Sequence, residues 1–172
     1  MKVAEIYAGD GVTALPAKKQ LTQPENLLLR IGAWSSAGAA QGEQFRSDPL
    51  EAALVQAGES AGIAAFGYRP LKEFSFNNER KMMSVVLESA GETLVFAKGA
   101  PEVMLANSTS AMDDGRVIAI SEKDKLKIQN QIEKMAAKAM RVVGFAYKKA
   151  PMGSSMKEEE AESGLIFAGI AG

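Results

Sequence analysis

Three short segments that alternate apolar and polar residues constrain this chain more than anything else in it. Residues 71–76 and 81–88 alternate in the manner of strands. Phe74 and Phe76 share one face of the first, and Lys81, Met83, Val85 and Leu87 share one face of the second. Asn77, Asn78, Glu79 and Arg80 form a polar run between them, suited to a four-residue hairpin loop. That register predicts Phe76 directly across from Lys81, with Cβ atoms about 5 Å apart. A third strand over 93–98 puts Leu94, Phe96 and Lys98 on a common face and ends at Gly99, where the missing Cβ lets a ligand approach the backbone. The expected product is an antiparallel meander with an aromatic ring and two ammonium groups at one end. A purine base needs a face to stack on and a phosphate chain needs cations, and this arrangement offers both.

The rest of the chain reads as mixed structure. Residues 2–7 alternate like an edge strand, and Gly9-Asp10-Gly11 is a turn. Thr22-Gln23-Pro24-Glu25 is a capping box with an early proline, opening a helix through Trp34. Residues 38–47 are a polar, glycine-bearing loop, and Asp48 starts a second helix that runs to about Gly58. A short helix begins at Pro101. The turn Met112-Asp113-Asp114-Gly115-Arg116 leads into a strand over 117–120, and Ser121 caps the longest helix, with an apolar stripe of Ile128, Ile132, Met135, Ala136 and Ala139. Residues 141–147 are a strand, 148–162 a lysine- and glutamate-rich loop, and the last residues return as a strand. Strands clustered centrally with helices outside predict an α+β fold with a largely antiparallel sheet.

Composition bounds the chemistry. The 172 residues are enough for one domain with a real core, and 47% hydrophobic with 24% charged residues describe a globular protein. A net charge of −1 argues against a nucleic-acid surface. Without cysteine there are no disulfides or thiolates, and without histidine the commonest metal ligand and general base is gone. No stretch approaches the roughly 18 apolar residues of a membrane helix. Neither a Walker A loop nor a cluster of metal-binding carboxylates occurs, so a self-sufficient nucleotide hydrolase is disfavoured.

The two segments Phe74-Ser75-Phe76-Asn77-Asn78-Glu79-Arg80-Lys81-Met82-Met83-Ser84-Val85-Val86 and Phe96-Ala97-Lys98-Gly99-Ala100-Pro101-Glu102 resemble the nucleotide-binding domain of P-type cation-transporting ATPases, most closely the calcium-pump branch. Asp48-Pro49-Leu50-Glu51-Ala52-Ala53-Leu54 is similar to that family's helix start, and Met140-Arg141-Val142-Val143-Gly144-Phe145-Ala146 to a later strand. The matches fall in the family's order over nearly the whole chain. The family's Asp-Lys-Thr-Gly-Thr phosphorylation motif and its Gly-Asp-Gly-x-Asn-Asp segment are absent. The resemblance therefore implies a single nucleotide-binding domain over 1–172, excised from a larger pump. It implies a cytoplasmic part of an integral membrane protein, monomeric when isolated and not catalytic by itself. ATP, as Mg-ATP in the intact pump, is the implied ligand, with the phosphorylation and actuator domains as partners and no nucleic-acid or direct membrane contact.

The resemblance assigns roles residue by residue. Phe76 stacks on adenine and Met83 packs beneath it; Glu51 accepts from the adenine amino group; Lys81, Lys98 and Arg141 steady the phosphates. Gly99 and Ala100 belong to the turn around the adenosine. Each has a plainer reading: Phe76 as core, Lys81 and Lys98 as surface charges, and Arg141 as a cation favoured at a helix C-terminus. Glu51 has one too, at N3 of a capped helix whose N-cap is Asp48 and whose N1 is Pro49. Asn78 stands where calcium pumps often carry an arginine, so a charge-assisted contact of about 1.5–3 kcal/mol is lost unless Arg80 substitutes. A protein-interaction module that kept the fold and lost nucleotide affinity is the competing reading, resting on Asn78 and the charged 148–162 loop.

Overall fold

The computed structural model describes residues 1–9, 11–17, 20–37, 48–63, 67–153 and 155–172. The predicted loop at 38–47 and the centre of the turn at Asp10 lie outside these. Strands β1 (Glu5–Ala8) and β2 (Gly11–Ala14) form a hairpin, followed by helices α1 (Gln23–Ala37) and α2 (Pro49–Ser60). The predicted capping box opens α1: Thr22 N–H donates to Glu25 Oε2 at 2.6 Å, and Glu25 N–H to Thr22 Oγ1 at 3.4 Å. Then come the meander β3 (Arg69–Asn77), β4 (Met82–Ser89) and β5 (Glu92–Gly99), helix α3 (Pro101–Ala106), and the ribbon β6 (Ser108–Asp113) with β7 (Arg116–Ala119). Helix α4 (Glu122–Ala137), strand β8 (Val143–Ala150), helix α5 (Glu158–Ala161) and strand β9 (Leu165–Ala171) complete the chain order.

The sheet runs β2-β1-β9-β8-β5-β4-β3 with antiparallel neighbours, and β6 joins it parallel to β9. This is the expected α+β architecture with helices on both faces. On one face α1 and α2 bury Leu28, Ile31, Trp34 and Leu54 against Met83, Val85, Phe96 and Phe145. On the other, α3 and α4 bury Met104, Ile128 and Met135 against Met82, Ala97, Ala146 and Ile170. Because successive strand residues point to opposite faces, a strand covered on both sides is apolar on both, and Met82–Leu87 is buried at every position, with Ser84 its one polar side chain.

Strand β9 is shared unusually. One edge pairs with β8; the other pairs with β6 near Ser108↔Leu165 and with β1 through Tyr7↔Ile170 and Ile6↔Ala171. The division falls at Gly169, where φ is +140° and an added Cβ would lie 2.2 Å from the Tyr7 carbonyl oxygen. Only glycine fits there.

Several expectations need correction. The first strand is interior, not an edge: Glu5–Ala8 is buried throughout and lies between β2 and β9. Ala136 and Ala139 leave the predicted stripe, since α4 ends at Ala137 and both alanines are exposed. The strand expected from Arg141 begins at Val143. The 148–162 segment is not a plain solvated loop: β8 continues to Ala150, and α5 brings Ala161 to 0% and Glu162 to 5% exposure.

The β3–β4 register also differs. Phe74 pairs with Ser84 and Asn77 with Met82, leaving a bulge at Ser75 and Phe76. The cause is the turn. Glu79 N–H donates to Asn77 Oδ1 at 2.7 Å, Lys81 N–H to the Asn77 carbonyl at 2.6 Å, and Lys81 takes a left-handed φ of 53°. Lys81 thus closes the turn instead of starting the strand, so it is neither opposite Phe76 nor on the face of Met83. The bulge breaks the alternation as well: Phe74 packs beside Val86 and Val95, while Phe76 is 57% exposed.

Candidate functional site

The best-defined polar feature lies on the α1/α2 face of the sheet. Lys98, near the end of β5, is 3% exposed. Its ammonium donates to Ser36 Oγ at 2.6 Å, in the last turn of α1, and forms an ion pair with Glu51 Oε2, in the first turn of α2. Both helices are held there by local chemistry. Asp48 caps α2 by accepting from Leu50 N–H at 2.8 Å, with Pro49 at N1, which leaves the Glu51 carboxylate for Lys98. Trp34 fixes the end of α1, its ring 5.9 Å from Phe96 and its carbonyl accepting from the Tyr68 hydroxyl at 3.1 Å. Ser36 in turn donates to the Gly32 carbonyl at 2.6 Å.

Burial pushes the Lys98 ammonium below its ordinary pKa. Glu51 opposes that shift most strongly, followed by Asp48 and Glu73. One buried cation thus faces three carboxylates. Such a group is a structural counter-charge and not a free cation reaching into solvent, because a desolvated charge persists only when paired.

The row across the sheet at this level is continuous. Met83 pairs with Lys98, and Lys98 with Phe145, all on the α1/α2 face. Met83 is 5% exposed, as packing requires. One residue beyond, Met82 pairs with Gly99, and an added Cβ at Gly99 would fall 2.4 Å from the Lys81 carbonyl oxygen. Close strand pairing, and not ligand approach, therefore accounts for the glycine. Ala100 donates its N–H to that same Lys81 carbonyl at 2.9 Å and precedes Pro101 at the start of α3. The meander's far turn is thereby tied to the turn after β5.

Phe76, Asn78 and Lys81 sit on the exposed β3–β4 turn, where Phe76 presents a ring mostly to solvent. Arg80 does not take the place of the missing arginine at Asn78. Its guanidinium binds Glu162 and Glu158 of the α5 segment and the Ser75 carbonyl. Arg141 is exposed and borders a cleft of about 340 Å³ shared with Leu50 and Leu54 of α2. A larger cleft of about 620 Å³ lies between α1, α2 and the segment after β2, lined by Leu15, Gln20, Leu21 and Gln56; none of the candidate residues lines it.

The structure thus joins Glu51, Met83 and Lys98 directly, puts Phe76, Asn78 and Lys81 on one turn, and leaves Arg141 beside the start of α2. Ser36 went unread in the sequence. The available signal was a pair of serines, Ser35 and Ser36, seven and eight residues after Leu28, where the buried face of α1 calls for apolar side chains. Among the described residues, no group of three or more carboxylates is arranged to hold a metal ion, and no helix is long and apolar enough to cross a membrane.

Residues 27–172 match the family model described as P-type ATPase, cytoplasmic domain N. A calcium-transporting ATPase of Bacillus subtilis is 31% identical over 130 residues, covering 73% of this chain and 15% of that protein. Calcium-transporting ATPase 1 of Lactococcus lactis is 31% identical over 157 residues, covering 88% of this chain and 18% of that protein. A cation-transporting ATPase of Synechocystis is 30% identical over 131 residues, covering 73% and 14%. The chain spans less than a fifth of the length of these relatives. It belongs to the family of P-type ATPase cytoplasmic N domains.

Proposed function

We propose that this domain binds the adenosine end of ATP and positions the nucleotide for phosphoryl transfer to an aspartate in a separate domain of a P-type cation pump, of the calcium-transporting kind its relatives' names describe. The observation that carries this reading is the pairing of a buried polar cluster, Lys98–Glu51–Ser36, with an aromatic ring left 57% exposed at Phe76. An exposed phenylalanine in a two-residue bulge has no packing role to explain it, and base stacking on such a ring is worth about 1–3 kcal/mol.

The roles divide by burial. Lys98 holds Oε2 of Glu51, leaving Oε1 to accept from the adenine amino group. Met83 packs beneath the base. Lys98 is too enclosed to meet phosphates, so that task falls to the exposed Lys81 and Arg141. Asn78 contributes an amide and no charge. Against the loss of translational and rotational freedom, these contacts give a dissociation constant between about 10 μM and 1 mM, fitting a pump that takes up ATP and releases ADP each cycle. No residue here acts as nucleophile or base. In this reading the domain works within the cytoplasmic part of a membrane pump, with its phosphorylation and actuator domains as partners, and is monomeric and non-catalytic alone. Magnesium travels with the phosphates.

An amide-resolved NMR titration with ATP, ADP, AMP and GTP, with and without magnesium, tests it. Shifts centred on Phe76, Gly99 and Glu51, stronger for adenine than guanine and indifferent to metal, are expected. A flat titration to about 10 mM ATP in a folded sample, above the weakest affinity expected, overturns it in favour of an interaction module.

A further inference from the structure

Arg80 connects two separate segments of the chain through its side chain, and the binding role above gives it nothing to do. Its Nε lies 2.9 Å from Glu162 Oε2 and its Nη2 3.4 Å from Glu162 Oε1, a forked pair. Nη1 lies 3.1 Å from Glu158 Oε2, and Nη2 also donates to the Ser75 carbonyl at 2.9 Å. Glu162 receives a further hydrogen bond from Ser84 Oγ at 2.9 Å and is 5% exposed. One guanidinium therefore serves four acceptors on two separate segments. One segment is the β3–β4 turn; the other links α5 to β9, anchored on either side by Ala161 and Leu165, both fully buried.

The placement is specific. Ser75, whose carbonyl Arg80 holds, immediately precedes Phe76, and Lys81 immediately follows Arg80. The turn's own bonds, from Glu79 and Lys81 to Asn77, shape it locally but do not fix its position relative to the sheet. Beyond the two strands it joins, its ties among the described residues include the Lys81 carbonyl with Ala100 N–H and the Arg80 side chain with Glu158 and Glu162. A forked, mostly desolvated guanidinium–carboxylate pair is the more directional of these.

We propose that Arg80 and Glu162 are positioning residues for the nucleotide: the α5–β9 junction holds the β3–β4 turn in the place from which Phe76 and Lys81 engage ATP. This rests on the ATP-docking reading. The forked geometry is the requirement, so a lysine at position 80 supplies charge without position. Apparent affinity then falls in proportion to the fraction of turns still held in the competent place.

The test compares Arg80→Lys and Glu162→Gln with Arg69→Ala, which removes the exposed Arg69–Glu88 pair at the opposite end of the same hairpin. ATP affinity is read by NMR titration, turn mobility by amide relaxation of residues 77–81 without nucleotide, and stability by urea unfolding. Arg80→Lys and Glu162→Gln are each expected to raise the ATP dissociation constant about five-fold or more and to mobilise the turn. The double variant should add little to either single one, and Arg69→Ala should stay within about two-fold of the parent. If the parent binds ATP and Arg80→Lys binds equally well with an unchanged turn, the positioning role is wrong and the docking function stands. If Arg69→Ala weakens binding as much, the effect is general loosening of the hairpin and the proposal fails. A parent that does not bind ATP removes the docking function itself, and this proposal with it.

Discussion

The Lys98 ammonium on β5 donates to the Ser36 hydroxyl at the end of α1 across 2.6 Å, and both side chains are buried. A lysine that a reader of the sequence takes for a solvent-facing phosphate contact is, in the fold, a strut joining the sheet to two helices. That difference separates the residues that shape the site from those available to a ligand.

Phe76 belongs to the second kind. Phe76→Ala is expected to weaken ATP binding about ten-fold, the lower-middle of the range for a lost base–aromatic stack, and to change unfolding free energy by no more than about 0.5 kcal/mol, as for an exposed side chain. Titration and urea unfolding of the same sample measure both. Equal ATP affinity in parent and variant removes the stacking role.

Glu51 and Lys98 behave oppositely. Glu51→Leu leaves Lys98 buried without its paired carboxylate, with the Ser36 hydroxyl as its hydrogen-bond partner, and should destabilise the domain by about 3 kcal/mol, in the range for breaking a buried pair. Glu51→Leu combined with Lys98→Met should recover most of that loss, because two apolar side chains carry no desolvation penalty. Urea unfolding of both single variants and the double one decides it; strictly additive losses show that the pair is not coupled.

The same burial makes stability depend on pH. Lys98 in the folded domain loses its proton below the ordinary 10.5. Between its folded-state pKa and 10.5 the unfolded chain therefore holds a proton that the folded chain has shed, and stability rises with pH across that window. Burial holds the Tyr68 and Tyr147 hydroxyls above 10.0, with Glu73 adding to the shift at Tyr68. The unfolded chain ionises these first, so above pH 10 they lower stability. Urea midpoints should climb with pH across the Lys98 window and turn down above about pH 10; Lys98→Met should shrink the climb to the part left by Lys148, whose partial burial also lowers its pKa, and keep the downturn. A climb unchanged in Lys98→Met assigns it to another group.

Thr93 offers a test away from the site. It is 2% exposed, and among the described residues its hydroxyl has no hydrogen-bond partner. Thr93→Val removes a buried unsatisfied group at nearly constant shape and should raise the unfolding free energy by about 1 kcal/mol. Thermal and urea unfolding read this directly, and a destabilised variant points to a partner for the hydroxyl.

What could be read from the sequence was local chemistry. The capping box at Thr22, the caps at Ser121 and Asp48 and the strands around Val85 and Phe96 all depend on neighbours within a few positions, and all are present. What could not be read depends on distant partners or small shifts of register. Lys98 is buried because Glu51 and Ser36, 47 and 62 positions away, arrive to receive it. The glutamates of the 148–162 segment suggest a solvated loop, yet Glu162 is drawn inward by Arg80, 82 positions earlier. Two residues of bulge at Ser75 and Phe76 were enough to undo the predicted pairing of Phe76 with Lys81, since a strand's alternation carries no mark of where it slips.

Strand β9 sets an order of events during synthesis. Within this domain β1 and β2 are synthesised before the rest of the sheet, yet their place in it is made by Ile170 and Ala171, among the last residues described. An isolated hairpin is marginal in water, and closing so long a span is slow. The nascent domain should therefore carry an uncovered sheet edge at β8 until residues 165–171 emerge and receive β1, β6 and β8 together. Amide protection in β1 should appear with that in β9, and substitutions at Gly169 should delay both.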